Sequence, residues 1–171
     1  GRFERVFVQP GGFEVHSGVY YARLHNVTIG DNCYIDRIHN YIANYEIGND
    51  VFVENTNLIV VDGTTTFGNG VRVPVMNEGG GREIPIFDCL SASLAYILTL
   101  YRHRPQLIEQ LRKIALYYSE KHASERGSIG ANVVISNAGV IKGVRIGNNC
   151  HINGVNLLSN GSINSNSDAP V

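Results

Sequence analysis

One seven-residue pattern recurs five times and constrains this chain more than any other feature. The copies are Ile29-Gly30-Asp31-Asn32-Cys33-Tyr34-Ile35, Ile47-Gly48-Asn49-Asp50-Val51-Phe52-Val53, Phe67-Gly68-Asn69-Gly70-Val71-Arg72-Val73, Ile129-Gly130-Ala131-Asn132-Val133-Val134-Ile135 and Ile146-Gly147-Asn148-Asn149-Cys150-His151-Ile152. An apolar residue precedes Gly, small or turn-forming residues follow, and a compact Val or Cys comes next. A β-branched residue closes each copy, six positions after the first. The pattern reads as a strand, a corner and another strand. Gly lets the chain turn without a Cβ clash, Asn and Asp tolerate positive φ, and the β-branched residue starts the next flat face.

The spacing of the copies extends this reading. Ile29 and Ile47 are eighteen residues apart, or three sides of six. Ile129, Ile135 and Ile141 step by six, and Ile146 and Ile152 continue after a five-residue side. Three short sides per turn predict a triangular coil, with successive turns paired as parallel strands about 4.8 Å apart.

Through these segments the sequence resembles the hexapeptide-repeat, left-handed parallel β-helix proteins, which include acyltransferases and the C-terminal domains of sugar-nucleotide pyrophosphorylases. The left hand is what the resemblance implies; the usual rule for parallel crossovers predicts the right. A closer resemblance, through Asn77-Glu78-Gly79-Gly80-Gly81-Arg82 and the helical segment after it, is to a family of long β-helix proteins known only as a domain of unknown function. The expected fold is mainly β: a single-stranded left-handed parallel β-helix interrupted by a two-helix antiparallel hairpin. Residues 1–171 are expected to form one domain, with first coils at 13–76, a Gly-rich loop at 77–87, the hairpin at 88–126 and further coils at 127–171.

The hairpin is read from a change of period. Leu90, Leu94, Ile97, Leu98 and Tyr101 recur at helical spacing behind Asp88, a plausible N-cap. Pro105 suits the first turn of a second helix, whose apolar stripe runs from Leu107 to Tyr118. Gly127 stands where a C-cap glycine would. The hairpin is locally basic, through Arg102, Arg104, Arg112, Lys113, Lys121 and Arg126. A solvated outer face explains that, and an acidic or phosphorylated ligand is the alternative.

Composition narrows the class. With 171 residues, 43% hydrophobic and 17% charged, the chain has enough apolar material for a core. A net charge of −1 gives no electrostatic reason to expect nucleic acid or an anionic membrane as partner. No apolar run is long enough to span a bilayer. Three cysteines without a Cys-x-x-Cys argue for reduced thiols and a cytoplasmic protein. No Met opens the chain and no capping element closes it, so a segment of a longer protein or a homo-oligomer is expected.

Candidate chemistry falls on few residues. Asn77 to Glu83 is the most unusual stretch, with three consecutive glycines inside a charged rim. It fits neither a phosphate-binding Walker loop nor a dinucleotide fingerprint. A linker into the helices is one reading. A ligand site is the other, with Arg82 holding a carboxylate or phosphate, Glu78 or Glu83 as base, and Asn77 beside them. The hexapeptide resemblance implies a histidine base, and His16, His25, His39 and His151 all lie in coil segments, but none sits in a matching motif. Histidine spacings give no metal motif. Cys33 and Cys150 occupy the compact inward position of the pattern and read as core. The expected function is therefore a transferase or transferase-like protein acting on a sugar, sugar nucleotide or acyl-thioester, with cofactor unassigned. The alternative is a non-catalytic scaffold or binding module.

Overall fold

The computed structural model describes residues 1–171 apart from Met76, Asn77, Glu78, Gly80 and Arg82. Two compact units emerge. One comprises residues 1–65 and 124–171, the other residues 66–123.

The first unit opens with an antiparallel hairpin, β1 (Val6–Gln9) and β2 (Phe13–His16), turned at Gly11 and Gly12 with positive φ. Its main element is a nine-stranded parallel sheet. The strands before the intervening unit are β3 (Gly18–Val19), β4 (Leu24–Ile29), β5 (Tyr34–Ile47) and β6 (Phe52–Val60). The second unit contributes the antiparallel pair β7 (Arg72–Pro74) and β8 (Glu83–Pro85), then α1 (Ala92–Leu100) and α2 (Pro105–Lys121). The sheet resumes with β9 (Gly127–Ile129), β10 (Val134–Ser136), β11 (Val140–Ile146), β12 (His151–Asn153) and β13 (Leu157–Ile163).

The molecule is mainly β, but the expected left-handed β-helix is corrected. β5 pairs with β6, β6 with β11, β11 with β9, and β9 with β5, which closes a four-strand parallel barrel within the sheet. Nor is there an even six-residue side, because strands run from two residues in β3 to fourteen in β5. Arg37 and Asn44 take φ of 51° and 58° inside β5 without ending it, so the strand runs on through both positions. The sequence spacing identifies residues that become cross-strand neighbours. Neighbours in register occur in any parallel sheet, so spacing does not say how the sheet closes or with which hand.

Three rows of registered apolar residues form the core. Ile29, Ile47, Ile129, Ile146 and Ile163 make the first row. Val19, Ile35, Val53, Ile135 and Ile152 make the second. The third is Leu24, Ile42, Ile59, Ile141 and Leu158. The central members are sealed from solvent, with Ile35, Ile42, Val53, Ile59, Ile135 and Ile141 at 0% exposure. Cys33, Val51, Val133 and Cys150 are buried as well, and burial raises both cysteine pKa values above the usual thiol range. Tyr45 is wholly buried too; its hydroxyl donates to the Val144 carbonyl at 2.8 Å and accepts from the Val144 N–H at 3.2 Å.

The glycines of the repeated pattern have a different cause from the one expected. Gly30, Gly48, Gly130 and Gly147 are not among the positive-φ residues, which are instead Asn32, Asp50, Asn132 and Asn149 nearby. The glycines are stacked. A Cβ on Gly48 would stand 2.9 Å from the Gly130 carbonyl carbon, and one on Gly130 would stand 2.7 Å from that of Gly147. Adjacent turns approach too closely there for any side chain.

The second unit corrects three local expectations. Ser91, not Asp88, caps α1, its hydroxyl accepting from the Leu94 N–H at 3.2 Å. α2 begins at Pro105 as the proline suggests, but ends at Lys121, and Gly127 opens β9 rather than capping the helix. The Phe67 copy of the pattern lies in this unit and does not join the nine-stranded sheet; its strand β7 pairs with β8. Phe67, Ile84, Leu98, Ile108 and Ala115 are its buried apolar residues.

Two substitutions test this packing. Ile135→Ala is expected to cost about 2–4 kcal/mol through lost burial and the cavity left behind. Gly130→Ala, a change of one methyl group, is expected to cost about 1–3 kcal/mol through overpacking. Urea unfolding of both variants measures the losses; an unchanged midpoint for Gly130→Ala would contradict the close stacking.

Candidate functional site

Strand alternation sends Tyr34 and Asp36 of β5 to the face opposite the buried Ile35. Tyr34 lies in register with Phe52 and Val134, and Asp36 with Glu54 and Ser136. This outer face is covered by the β1–β2 hairpin. Phe7 packs edge-on to Phe52 at 5.4 Å between centroids and 6.2 Å from Tyr34, while Tyr34 and Phe52 stack at 4.8 Å. Polar contacts fix the hairpin: Arg5 Nη1 to Asp50 Oδ1 at 2.8 Å, the Ser17 N–H to the Arg5 carbonyl at 2.8 Å, and Gln9 Nε2 to Glu54 Oε2 at 2.9 Å.

Beside the hairpin lies an open groove of about 410 Å³ lined by Gln9, Phe13, Val15, His16, Tyr20, Tyr21, Tyr34, Asp36 and Arg37. The Tyr20 ring sits 5.7 Å from that of Tyr34. Tyr34 donates its hydroxyl proton to Asp36 Oδ2 at 3.0 Å, and Arg37 Nε lies 3.4 Å from the same oxygen. Arg37 also pairs through Nη2 with Glu54. Asp36 is only 8% exposed, and its other oxygen, Oδ1, is buried with no hydrogen-bond partner among the described residues. A buried acceptor left without a donor costs about 1–3 kcal/mol. Burial first, and then the bond to Asp36, push the Tyr34 phenol up to about 12. The phenol therefore stays neutral and remains a donor throughout the physiological range. This arrangement can recognise a donor group against aromatic walls.

The sequence-derived candidates fare differently. Asn77, Glu78 and Arg82 lie outside the described residues. Glu83 belongs to β8, and its carboxylate accepts from the Gly81 N–H at 3.0 Å. Hydrogen bonds from its own backbone and from Gly81, with Arg102 and Arg72 nearby, hold it below the usual carboxylate range. That environment suits an ionised turn-stabilising acceptor rather than a base that takes up a proton near neutrality. His16 alone of the four histidines lines the Asp36 cavity. His25 lines a separate groove with Tyr41, Asp62 and Lys142, His39 bonds Asn55 Oδ1 at 2.9 Å, and His151 is an exposed residue of β12. Among the described residues no three His, Cys, Asp or Glu side chains are grouped to hold a metal. Cys89 is exposed, with Sγ 3.4 Å from the Tyr118 hydroxyl, which in turn lies 2.5 Å from Asp88 Oδ1.

Tyr34, Asp36 and Arg37 escaped the sequence reading, although a signal was present. Alternation around Ile35 puts an aromatic and a carboxylate on one face of the same strand. What cannot be read locally is that residues 6–16 fold over them.

The Tyr34–Asp36 bond has a titration signature. With a folded pKa raised from 10.0 to about 12, Tyr34 contributes stability that is complete below pH 10 and is lost as pH rises through 12. Asp36→Asn is expected to bring the Tyr34 midpoint down, while burial keeps it above 10.0. Carbon-13 NMR of ζ-labelled tyrosine measures it; an unmoved midpoint would show the bond does not form.

Comparison with known proteins adds kinship. No solved structure matches the chain. A protein of Treponema pallidum (strain Nichols), titled "Uncharacterized protein", is 27% identical over 178 residues, covering 98% of this chain and 24% of that protein. The chain thus spans about a quarter of that relative's length. Among the described residues no helix is long and apolar enough to cross a membrane. No hexapeptide-repeat family matches, and of the second resemblance only the kinship to a domain of unknown function holds, without its β-helix: the model of one family matches residues 1–171, and the chain belongs to that family, described as a domain of unknown function (DUF4954).

Proposed function

We propose that this chain is a non-catalytic binding module: a β scaffold presenting one small-ligand pocket beside its N-terminal hairpin. The observation that carries the reading is Asp36: the residue lines an aromatic-rich groove, and its Oδ1 is buried without a hydrogen-bond partner among the described residues. A protein core leaves such an atom unsatisfied at a cost, and a bound donor removes that cost. The registered strands beneath suit the role, because a site held on packed strands keeps its geometry. The free thiols Cys33, Cys89 and Cys150 favour the cytoplasm as its compartment.

One observation favours the transferase reading, namely His16 on the rim of the same cavity. A transferase would need His16 as base toward an acceptor held near Asp36.

A fragment screen by ¹H–¹⁵N NMR on the full chain tests the module. Hits are expected to shift the amides of Tyr20, Tyr34, Asp36 and Arg37 together. Hits confined to the His25–Lys142 groove, or none at all, would overturn the reading. Turnover of an acyl-thioester or sugar nucleotide, lost in His16→Gln, would replace it with the transferase.

A further inference from the structure

Resting on the pocket reading above, we infer that the Asp36 cavity takes an organic ammonium ion that keeps at least one N–H. Charge is the first observation. Asp36 and Glu54 are two carboxylates sharing the single guanidinium of Arg37. Gln9, the other partner of Glu54, is neutral, and Arg5 is engaged by Asp50. The cluster is one positive charge short.

Hydrogen bonding is the second. Two partners of Asp36, the Tyr34 hydroxyl and Arg37 Nε, fall on Oδ2, and Oδ1 has none among the described residues. A quaternary ammonium supplies charge but no donor, and a neutral hydroxyl supplies a donor but no charge. A primary or secondary ammonium supplies both, in a charge-assisted bond. The walls are the third observation. Phe13, Tyr20, Tyr21 and Tyr34 line the cavity, with Phe13 65% and Tyr21 86% exposed. Aromatic faces attract cations through the ring quadrupole and give no such preference to neutral alcohols.

The volume of about 410 Å³ suits a small molecule. A free alkylamine is the chemistry that fits, with the chain on the rings and the ammonium at Asp36.

Four probes of matched length test this on the full chain by NMR titration: n-butylammonium, N-methylbutylammonium, butyltrimethylammonium and n-butanol. The first two are expected to bind at Tyr34, Asp36 and Arg37, the quaternary ion several-fold more weakly, and butanol not measurably. Asp36→Asn is expected to weaken n-butylammonium about tenfold or more. Arg37→Gln, which removes the competing cation, is expected to tighten it several-fold, a gain that loss of folding cannot mimic. Equal binding of butanol and n-butylammonium, or weaker binding in Arg37→Gln, would overturn the ammonium while leaving the pocket standing. If no probe and no screened fragment perturbs these amides, both readings fail.

Discussion

Everything in the sheet depends on residues far apart in sequence meeting in register. Ile47 is buried because Ile129 lies beside it on β9, and Ile59 because Ile141 lies beside it on β11. The whole of residues 66–123 stands between these partners. The crossing is closed by Thr65 and Ser124, whose backbones exchange hydrogen bonds of 2.9 Å in both directions. That pair holds the ends of the long excursion together. Closing such a loop costs conformational entropy, which the apolar rows offset once they form.

The same closure explains residues that look idiosyncratic. Tyr45 lies in the interior, where a phenol needs a partner, and finds both backbone groups of Val144 across the barrel. Gly127 lies in register with it, where any Cβ would run into the Tyr45 ring. The Asn residues on the outer corners are linked along the stack, Asn55 to Asn137 at 2.7 Å and Asn137 to Asn153 at 3.1 Å. These rows satisfy side chains that would otherwise compete with the strand backbone.

The pocket is an outcome of covering one sheet face with the hairpin. An aromatic row of Tyr34 and Phe52 on an outer face would be an exposed apolar strip, and Phe7 shields it. The cover continues past the aromatics to Asp36, which is buried, and to Glu54, which is partly so. Burying carboxylates requires partners, and Arg37, Tyr34 and Gln9 supply all but one of the contacts needed. The site is therefore the residue of a packing problem solved incompletely, which is where binding chemistry accumulates.

By itself the sequence determined the β class, the inward residues and the neighbours along each row, because alternation and spacing are local rules that any parallel sheet obeys. Ile29, Ile47, Ile129 and Ile146 could be aligned from their pattern alone. The buried state of Cys33 and Cys150 followed from the same register. The helical period of residues 92–121 was legible, while its first cap was not: Asp88 was expected there, and the Ser91 hydroxyl is what accepts from the Leu94 N–H. The mode of closure belonged to the tertiary structure: spacing names partners, whereas a barrel requires that β5 meet both β6 and β9, which no local rule states. The site was decided there too. Asp36 is an ordinary exposed strand residue until residues 6–16 fold across it, and desolvation by a remote segment, unlike alternation, leaves no period in the sequence.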